Sequence, residues 1–149
     1  MQQFKNMTEF AKAMEKQILT SFLEQEAKKI KDLIKMYIND RFYGLFTPEQ
    51  YIRTEQLLNS VTCSEVEKIG QYKYRVVIYL NEDGVIYKDS DADYVWKLAS
   101  LGYHGIHAES FRTEGKFWEE TLNDLNNGKT VNIFNDFKSY AISKGFVVR

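Results

Sequence analysis

The chain has 149 residues and a net charge of −1, with 20 basic residues against 21 acidic ones. That length predicts a single domain, 1–149, that buries a real hydrophobic core. The balanced charge argues against duplex nucleic acid as the main partner, although it leaves a local basic patch open. Cys63 is the only cysteine, which excludes an intrachain disulfide and is typical of a protein made in a reducing cytosol. Aromatic residues make up 15% of the chain, a surplus that fits either a dense core or packed subunit interfaces.

The first predicted element is a long amphipathic helix over residues 6–40. Asn6, followed three residues later by Glu9, is a capping-box signature. Apolar residues then recur every three or four positions, as in Phe10, Met14 and Ile18, while Lys and Glu cover the other face. Such a helix either packs along its own domain or reaches a neighbouring subunit. No run of apolar residues approaches the length of a membrane span, so we expect no membrane association.

A β region is predicted over residues 61–88. Apolar and polar side chains alternate along residues 72–80, with the period of a half-buried strand. Residues 61–69 read as its antiparallel partner, turning near Gly70. An Asp-Gly pair indicates a second tight turn, after which residues 85–87 return as a short strand. The sequence thus predicts a small antiparallel sheet of about three to four strands.

The C-terminal region, residues 91–145, is predicted to be helical. Helical spacing of apolar residues and glycines at the ends indicate short helices over about 92–101, 116–125 and 131–143. A further short helix begins after Pro48, which suits the first helical position. The fold class is therefore α+β, with a long N-terminal helix, a small sheet and three or four short helices.

The segment 93–105 gathers aromatic, glycine and histidine residues, but its chemistry is incomplete. The letters DSDADY begin like a calcium loop, yet Tyr94 stands where that loop needs glycine and Ser100 where it needs a bidentate acid. His104 and His107 fall short of the three protein ligands that zinc requires. We therefore expect no metal, no cofactor and no catalytic residue.

Three segments of the chain resemble small proteins from the head–tail module of tailed bacteriophages. The segment YIRTEQLLNSV matches a Y-x-R-T-x-x-L-L-x-S pattern that follows a long helix and precedes a β region. A V-x-x-L-A-x-x-G-Y-H-G pattern comes next, and a Phe-Trp pair then opens a helix. The order and spacing fit from about residue 30 to residue 145. The matching residues of the last two segments are Val95, Leu98, Ala99, Gly102, Tyr103, His104, Gly105, Phe117 and Trp118.

Proteins of this kind are the neck, tail-completion or head–tail connector proteins. The resemblance implies a structural virion protein, not an enzyme, made in the bacterial cytoplasm and assembled as a ring of identical subunits between portal and tail. Its partners would be further copies of itself, a portal-side adaptor and tail-side proteins, with DNA passing through the ring without specific binding. The near-neutral charge leaves open whether the ring lines the DNA channel.

Five side chains are candidates for contact with a neighbouring subunit or partner: Arg53, Tyr103, His104, Phe111 and Trp118. Three of them have a plainer interpretation. Arg53 fits an ordinary surface arginine, and His104 fits a side chain that hydrogen-bonds to the backbone in a tight turn. The helical spacing of Trp118 to Leu122 favours a core position. An alternative function is a small cytosolic regulatory module that binds a host protein, as anti-host or anti-defence proteins do.

Overall fold

The computed structural model describes residues 4–44, 56–84, 92–100 and 116–147. Within these ranges the fold is α+β, as predicted. The elements follow in the order α1 (Met7–Met14), a first π-helical segment (Glu15–Leu19), α2 (Thr20–Ile38), a second π-helical segment (Asn39–Tyr43), α3 (Gln56–Ser60), β1 (Val61–Cys63), β2 (Glu67–Gly70), β3 (Lys73–Arg75), β4 (Ile78–Leu80), a 3-10 turn (Glu82–Gly84), α4 (Ala92–Ser100), α5 (Phe117–Asn127) and α6 (Ile133–Ser143).

The long N-terminal helix is confirmed, because α1, α2 and the two π-helical segments join without a break over residues 7–43. Its start is capped as predicted: the side chain of Asn6 accepts a hydrogen bond from the backbone N–H of Glu9 at 2.9 Å. The carboxylate of Glu9 reaches back to the N–H of Lys5 at 3.0 Å, one residue before the position used in the usual capping box. At about 1.5 Å per residue the whole helix is roughly 55 Å long.

The first π-helical segment keeps the apolar face of the helix aligned. Met14, Ile18 and Phe22 follow one another at intervals of four, and all three are buried. In an α-helix a four-residue step turns the side chain by about 40° beyond one full turn. The wider π-helical turn absorbs that excess. The three side chains therefore face one cluster, the N-terminal core, which Ala141 and Phe146 complete from the C-terminal end of the chain.

A second cluster, the central core, surrounds the other half of the long helix. It joins the helix to α3, β1, α4 and α5 in one apolar contact region. Its buried members are Leu33, Ile34, Tyr37, Ile38, Leu57, Val61, Ala99, Phe117 and Val131.

The four strands form one interrupted antiparallel hairpin. β1 pairs with β4 and β2 pairs with β3, giving two sheets of two strands instead of the single sheet predicted. At the break, the hydroxyl of Ser64 accepts the N–H of Val77 at 3.0 Å, while the N–H of Ser64 donates to the Val77 carbonyl at 2.8 Å. A side chain thus replaces a backbone carbonyl in the ladder. The register shifts by one residue beyond it, so that Glu67 pairs with Arg75 and not with Tyr74.

The predicted period-two alternation is confirmed along the second arm of the hairpin. From residue 71 to residue 80, exposed and half-buried side chains alternate without exception, and Tyr74, Ile78 and Leu80 lie on the half-buried face. The short strand predicted at 85–87 lies outside the described residues.

The outer half of the hairpin is tied to the N-terminal helix through Glu15. Its carboxylate accepts hydrogen bonds from the hydroxyl of Tyr74 at 2.7 Å and from the ammonium group of Lys68. These two donors, Lys68 first, lower the pKa of Glu15. The contact fixes β2 and β3 against the first π-helical segment.

Asp124 joins three parts of the fold around a buried carboxylate. Its oxygens accept hydrogen bonds from the Tyr37 hydroxyl at 2.9 Å, the Thr130 hydroxyl at 2.6 Å and the Thr130 N–H at 2.7 Å. The N–H of Val131 adds a longer contact at 3.4 Å. The carboxylate thereby fixes the turn between α5 and α6 to the long helix.

Candidate functional site

An open cleft of about 300 Å³ lies between the long helix, the β1–β4 pair, α4 and α5. Buried and half-buried aliphatic side chains form its floor, and two tryptophans with Tyr79 form its rim. We call it the tryptophan cleft. Its lining residues are Ile34, Val61, Ile78, Tyr79, Leu80, Glu82, Trp96 and Trp118.

The first two residues of α5 contribute to different parts of this region: one to the buried core and one to the exposed rim of the cleft. Phe117 and Trp118 are consecutive, so their side chains leave the helix about 100° apart. Phe117 is fully buried in the central core, whereas Trp118 is 38% exposed. Trp96, on α4, contacts both rings edge to face, with its centroid 5.5 Å from that of Phe117 and 6.0 Å from that of Trp118. Trp96 thus links the core to the exposed rim.

The apolar surface continues beyond the rim. Leu122 lies one turn after Trp118 on the same face of α5 and is also exposed. Glu82 supplies a carboxylate at the edge of a cleft that is otherwise aliphatic and aromatic. Such a surface suits the packing of an apolar or aromatic side chain more than polar chemistry.

Of the five predicted contact residues, the structure places Trp118 at the rim of the tryptophan cleft. The other four, Arg53, Tyr103, His104 and Phe111, lie outside the described residues. The described part of the segment 93–105 is α4, and it contributes Trp96 to the cleft.

The structure offers no metal centre in the ranges that it describes, where no three His, Cys, Asp or Glu side chains come together. Cys63 is half-buried in β1, opposite Ile78. Likewise, none of the described helices combines the length and the apolar character needed to cross a membrane.

Two buried carboxylates escaped the sequence interpretation. Asp124 was indistinguishable from the other polar residues of α5. The Lys and Glu residues of the long helix were expected as a group on its solvated face, but Glu26 is only 3% exposed. A signal was present, because Glu26 follows the buried Phe22 by four residues and therefore lies on the apolar face.

The fold and the cleft define a small α+β protein built on one long helix, with an aromatic cleft beside an interrupted hairpin. A family model described as YomN matches residues 6–141. The chain therefore belongs to the YomN family, a phage-derived family of Bacillus. This agrees with the phage origin that the three sequence segments indicated. No curated protein and no solved structure matches the chain.

Proposed function

We propose that the protein is a structural component of the phage neck, in which copies of the chain form a ring that connects the portal and head to the tail. The observation that carries the proposal is the tryptophan cleft. It forms where α4 meets α5, and these elements hold the described parts of two segments on which the resemblance to neck proteins rests.

The chemistry of the cleft supports a protein contact. Tryptophan and tyrosine are enriched at interfaces, where a large ring fills a pocket while a polar rim excludes water. Trp118 and Tyr79 present such rings at the mouth of an aliphatic pocket. In the proposed ring, an apolar side chain of the next subunit fills the tryptophan cleft.

The length of the N-terminal helix also supports a ring subunit. A compact domain of this size has a radius of gyration of about 15 Å, and therefore a diameter of about 38 Å. The helix over residues 7–43 is roughly 55 Å long, which exceeds that diameter. An elongated subunit has two separated side surfaces, as a head-to-tail ring contact requires.

In this proposal the protein is not an enzyme. The two faces of the ring bind a portal-side adaptor and a tail-side protein, and DNA passes through the ring without specific contacts. The ring is made in the host cytoplasm and remains in the virion.

The test begins with the assembly state of the purified full-length protein, by sedimentation and electron microscopy, alone and on particles that lack it. We expect a ring, or a monomer that forms one on its partner. Trp118→Ala is expected to abolish the ring, whereas Phe134→Ala, which removes another exposed aromatic ring on α6, preserves it. Tailed, infectious particles from a phage with this gene deleted would contradict the proposal.

The regulatory alternative makes a different prediction for the virion. A module that acts on a host protein is absent from purified particles. A structural neck protein is present at a fixed number of copies. Quantitative mass spectrometry of purified virions therefore separates the two functions.

A further inference from the structure

A second cleft, of about 250 Å³, lies between α2 and α6 and is separate from the tryptophan cleft. It combines aromatic rings with charged groups. We call it the Glu26 pocket, after its most buried charged residue. Its lining residues are Phe22, Gln25, Glu26, Lys29, Asp136, Ser139 and Tyr140.

Both oxygens of the Glu26 carboxylate are buried, and neither has a hydrogen bond of ordinary geometry within the described residues. The nearest cation, the ammonium group of Lys29, is 3.5 Å from one oxygen, which is too long for a strong hydrogen bond. Lys29 is bound more closely to Asp136, at 2.8 Å. A buried carboxylate without such a hydrogen bond is costly to the fold, so a donor group supplied by a ligand would stabilise it.

The charges of the pocket define the missing group. Two carboxylates and one ammonium group leave a net charge of −1 when all are ionised. Lys144 lies over the Tyr140 ring but does not line the cleft. A cation with a single positive charge complements this set. A divalent metal fits poorly, because only two carboxylates are present and the ammonium group of Lys29 lies between them.

The aromatic lining of the pocket favours a planar cation. Phe22 and Tyr140 form an aromatic wall, with their ring centroids 5.8 Å apart. A guanidinium group carries five N–H donors in one plane, pairs with a carboxylate through two parallel hydrogen bonds, and packs against aromatic rings. An alkylammonium ion has the charge without the planar fork.

We propose that the Glu26 pocket binds a guanidinium group, with the Glu26 carboxylate as its main acceptor and Phe22 and Tyr140 as its apolar wall. The group is carried either by a small molecule or by an arginine side chain of another protein chain. This inference is independent of the proposed neck function.

The probe is methylguanidinium chloride, titrated into the ¹⁵N-labelled full-length protein at constant ionic strength and followed by NMR. We expect saturable shifts confined to amides near Phe22, Glu26 and Asp136. Methylammonium should bind at least tenfold more weakly. Equal binding of the two cations, or shifts spread over the whole surface, would overturn the proposal.

Glu26→Gln keeps the shape of the side chain and removes its charge, so it should weaken methylguanidinium binding at least tenfold. Asp136→Asn, a second variant, should weaken it less. The matched control is Glu24→Gln, which makes the same change at an exposed position of the same helix and should leave binding unchanged. Unchanged binding in Glu26→Gln would contradict the inference.

A blocked Gly-Arg-Gly peptide distinguishes the two sources of the group. Tighter binding of the peptide than of methylguanidinium identifies an arginine in a protein chain as the ligand. Exclusion of the peptide, with methylguanidinium still bound, identifies a small molecule. Either result supports the pocket, whereas binding of neither probe refutes it.

Discussion

The hydroxyl of Tyr37, near the C-terminal end of the long helix, donates a hydrogen bond of 2.9 Å to the buried carboxylate of Asp124 on α5. The same carboxylate also accepts hydrogen bonds from the hydroxyl and the N–H of Thr130. One side chain therefore satisfies donors from the long helix and from the turn that leads to α6. The packing of the C-terminal helices depends on this carboxylate.

Removing that carboxylate should destabilise the fold strongly. Asp124→Ala leaves the buried Tyr37 hydroxyl and the part-buried hydroxyl and N–H of Thr130 without this acceptor, and we expect a loss of about 3 kcal/mol in the free energy of unfolding. Tyr37→Phe removes one donor and leaves the others paired, so its expected loss is about 1 kcal/mol. Urea unfolding followed by circular dichroism measures both. Asp32→Ala, at an exposed position of α2, is the control, and a loss there equal to that of Asp124→Ala would contradict this account.

The same network predicts an acid-dependent loss of stability. Burial alone would raise the pKa of Asp124, but hydrogen bonds from Thr130, Tyr37 and Val131 outweigh it and hold the pKa below its ordinary value of 3.8. A lowered pKa means that the folded state favours the charged carboxylate. Its contribution is therefore present above pH 3.8 and disappears as the pH falls through the lowered value. Unfolding measured from about pH 2 to 6 should show the Asp124→Asn variant approaching the wild type at the acid end.

Local signals in the sequence predicted much of the fold. The Asn6 cap, the helical spacing of apolar residues and the alternation over residues 72–80 each depend on neighbours within a few positions, and the structure confirms all three. The break in the hairpin was not predictable in this way. It depends on the hydroxyl of Ser64 meeting the N–H of Val77, across the hairpin.

The candidate sites, like the fold, could be predicted from the sequence only in part. Trp118 could be named as a contact candidate, although its helical spacing favoured the core, and its pairing with Trp96 depends on the packing of α4 against α5. The spacing from Phe22 places Glu26 on the apolar face of the long helix, but its burial depends on α6, which lies far along the sequence. Long-range packing, which local spacing alone does not specify, therefore completes both sites.

Truncation of two adjacent residues of α5 should have different main effects: loss of stability at Phe117 and loss of assembly at Trp118. Phe117→Ala removes a fully buried ring, and we expect a loss of about 3–5 kcal/mol in the free energy of unfolding. Trp118→Ala removes a partly exposed ring, so its loss should be about 1 kcal/mol, while the proposed ring assembly should be abolished. Thermal unfolding and sedimentation of the two variants separate stability from assembly. A Trp118→Ala variant that unfolds as readily as Phe117→Ala would show that Trp118 is a core residue.

The contact of Glu15 with the hairpin predicts a local effect. Glu15→Gln weakens the acceptor for Tyr74 and Lys68, so β2 and β3 should open more often than β1 and β4. Hydrogen exchange should accelerate by about two- to fivefold at the β2–β3 amides and remain unchanged at β1–β4, because this ion pair is exposed. Glu67→Gln, which removes an ion pair with Arg75 inside the hairpin, is the comparison. Equal acceleration in all four strands would show that Glu15 supports the whole hairpin.

Glu26 should also make the stability of the protein depend on pH, but in the direction opposite to Asp124. Burial raises the pKa of Glu26 above its ordinary value of 4.5; Lys29 partly offsets this effect, and Asp136 adds to it. Below pH 4.5 the carboxyl is protonated in both the folded and the unfolded state and costs little. As the pH rises from 4.5 through the raised pKa, the folded state must accommodate a buried charge, and stability falls. Relative to the wild type, Glu26→Gln should therefore gain stability as the pH rises through this range and lose that advantage in acid. Glu24→Gln, which makes the same change at an exposed position of the same helix, is the control. A Glu26→Gln variant less stable than the wild type at neutral pH would show that the charge of Glu26 stabilises the fold.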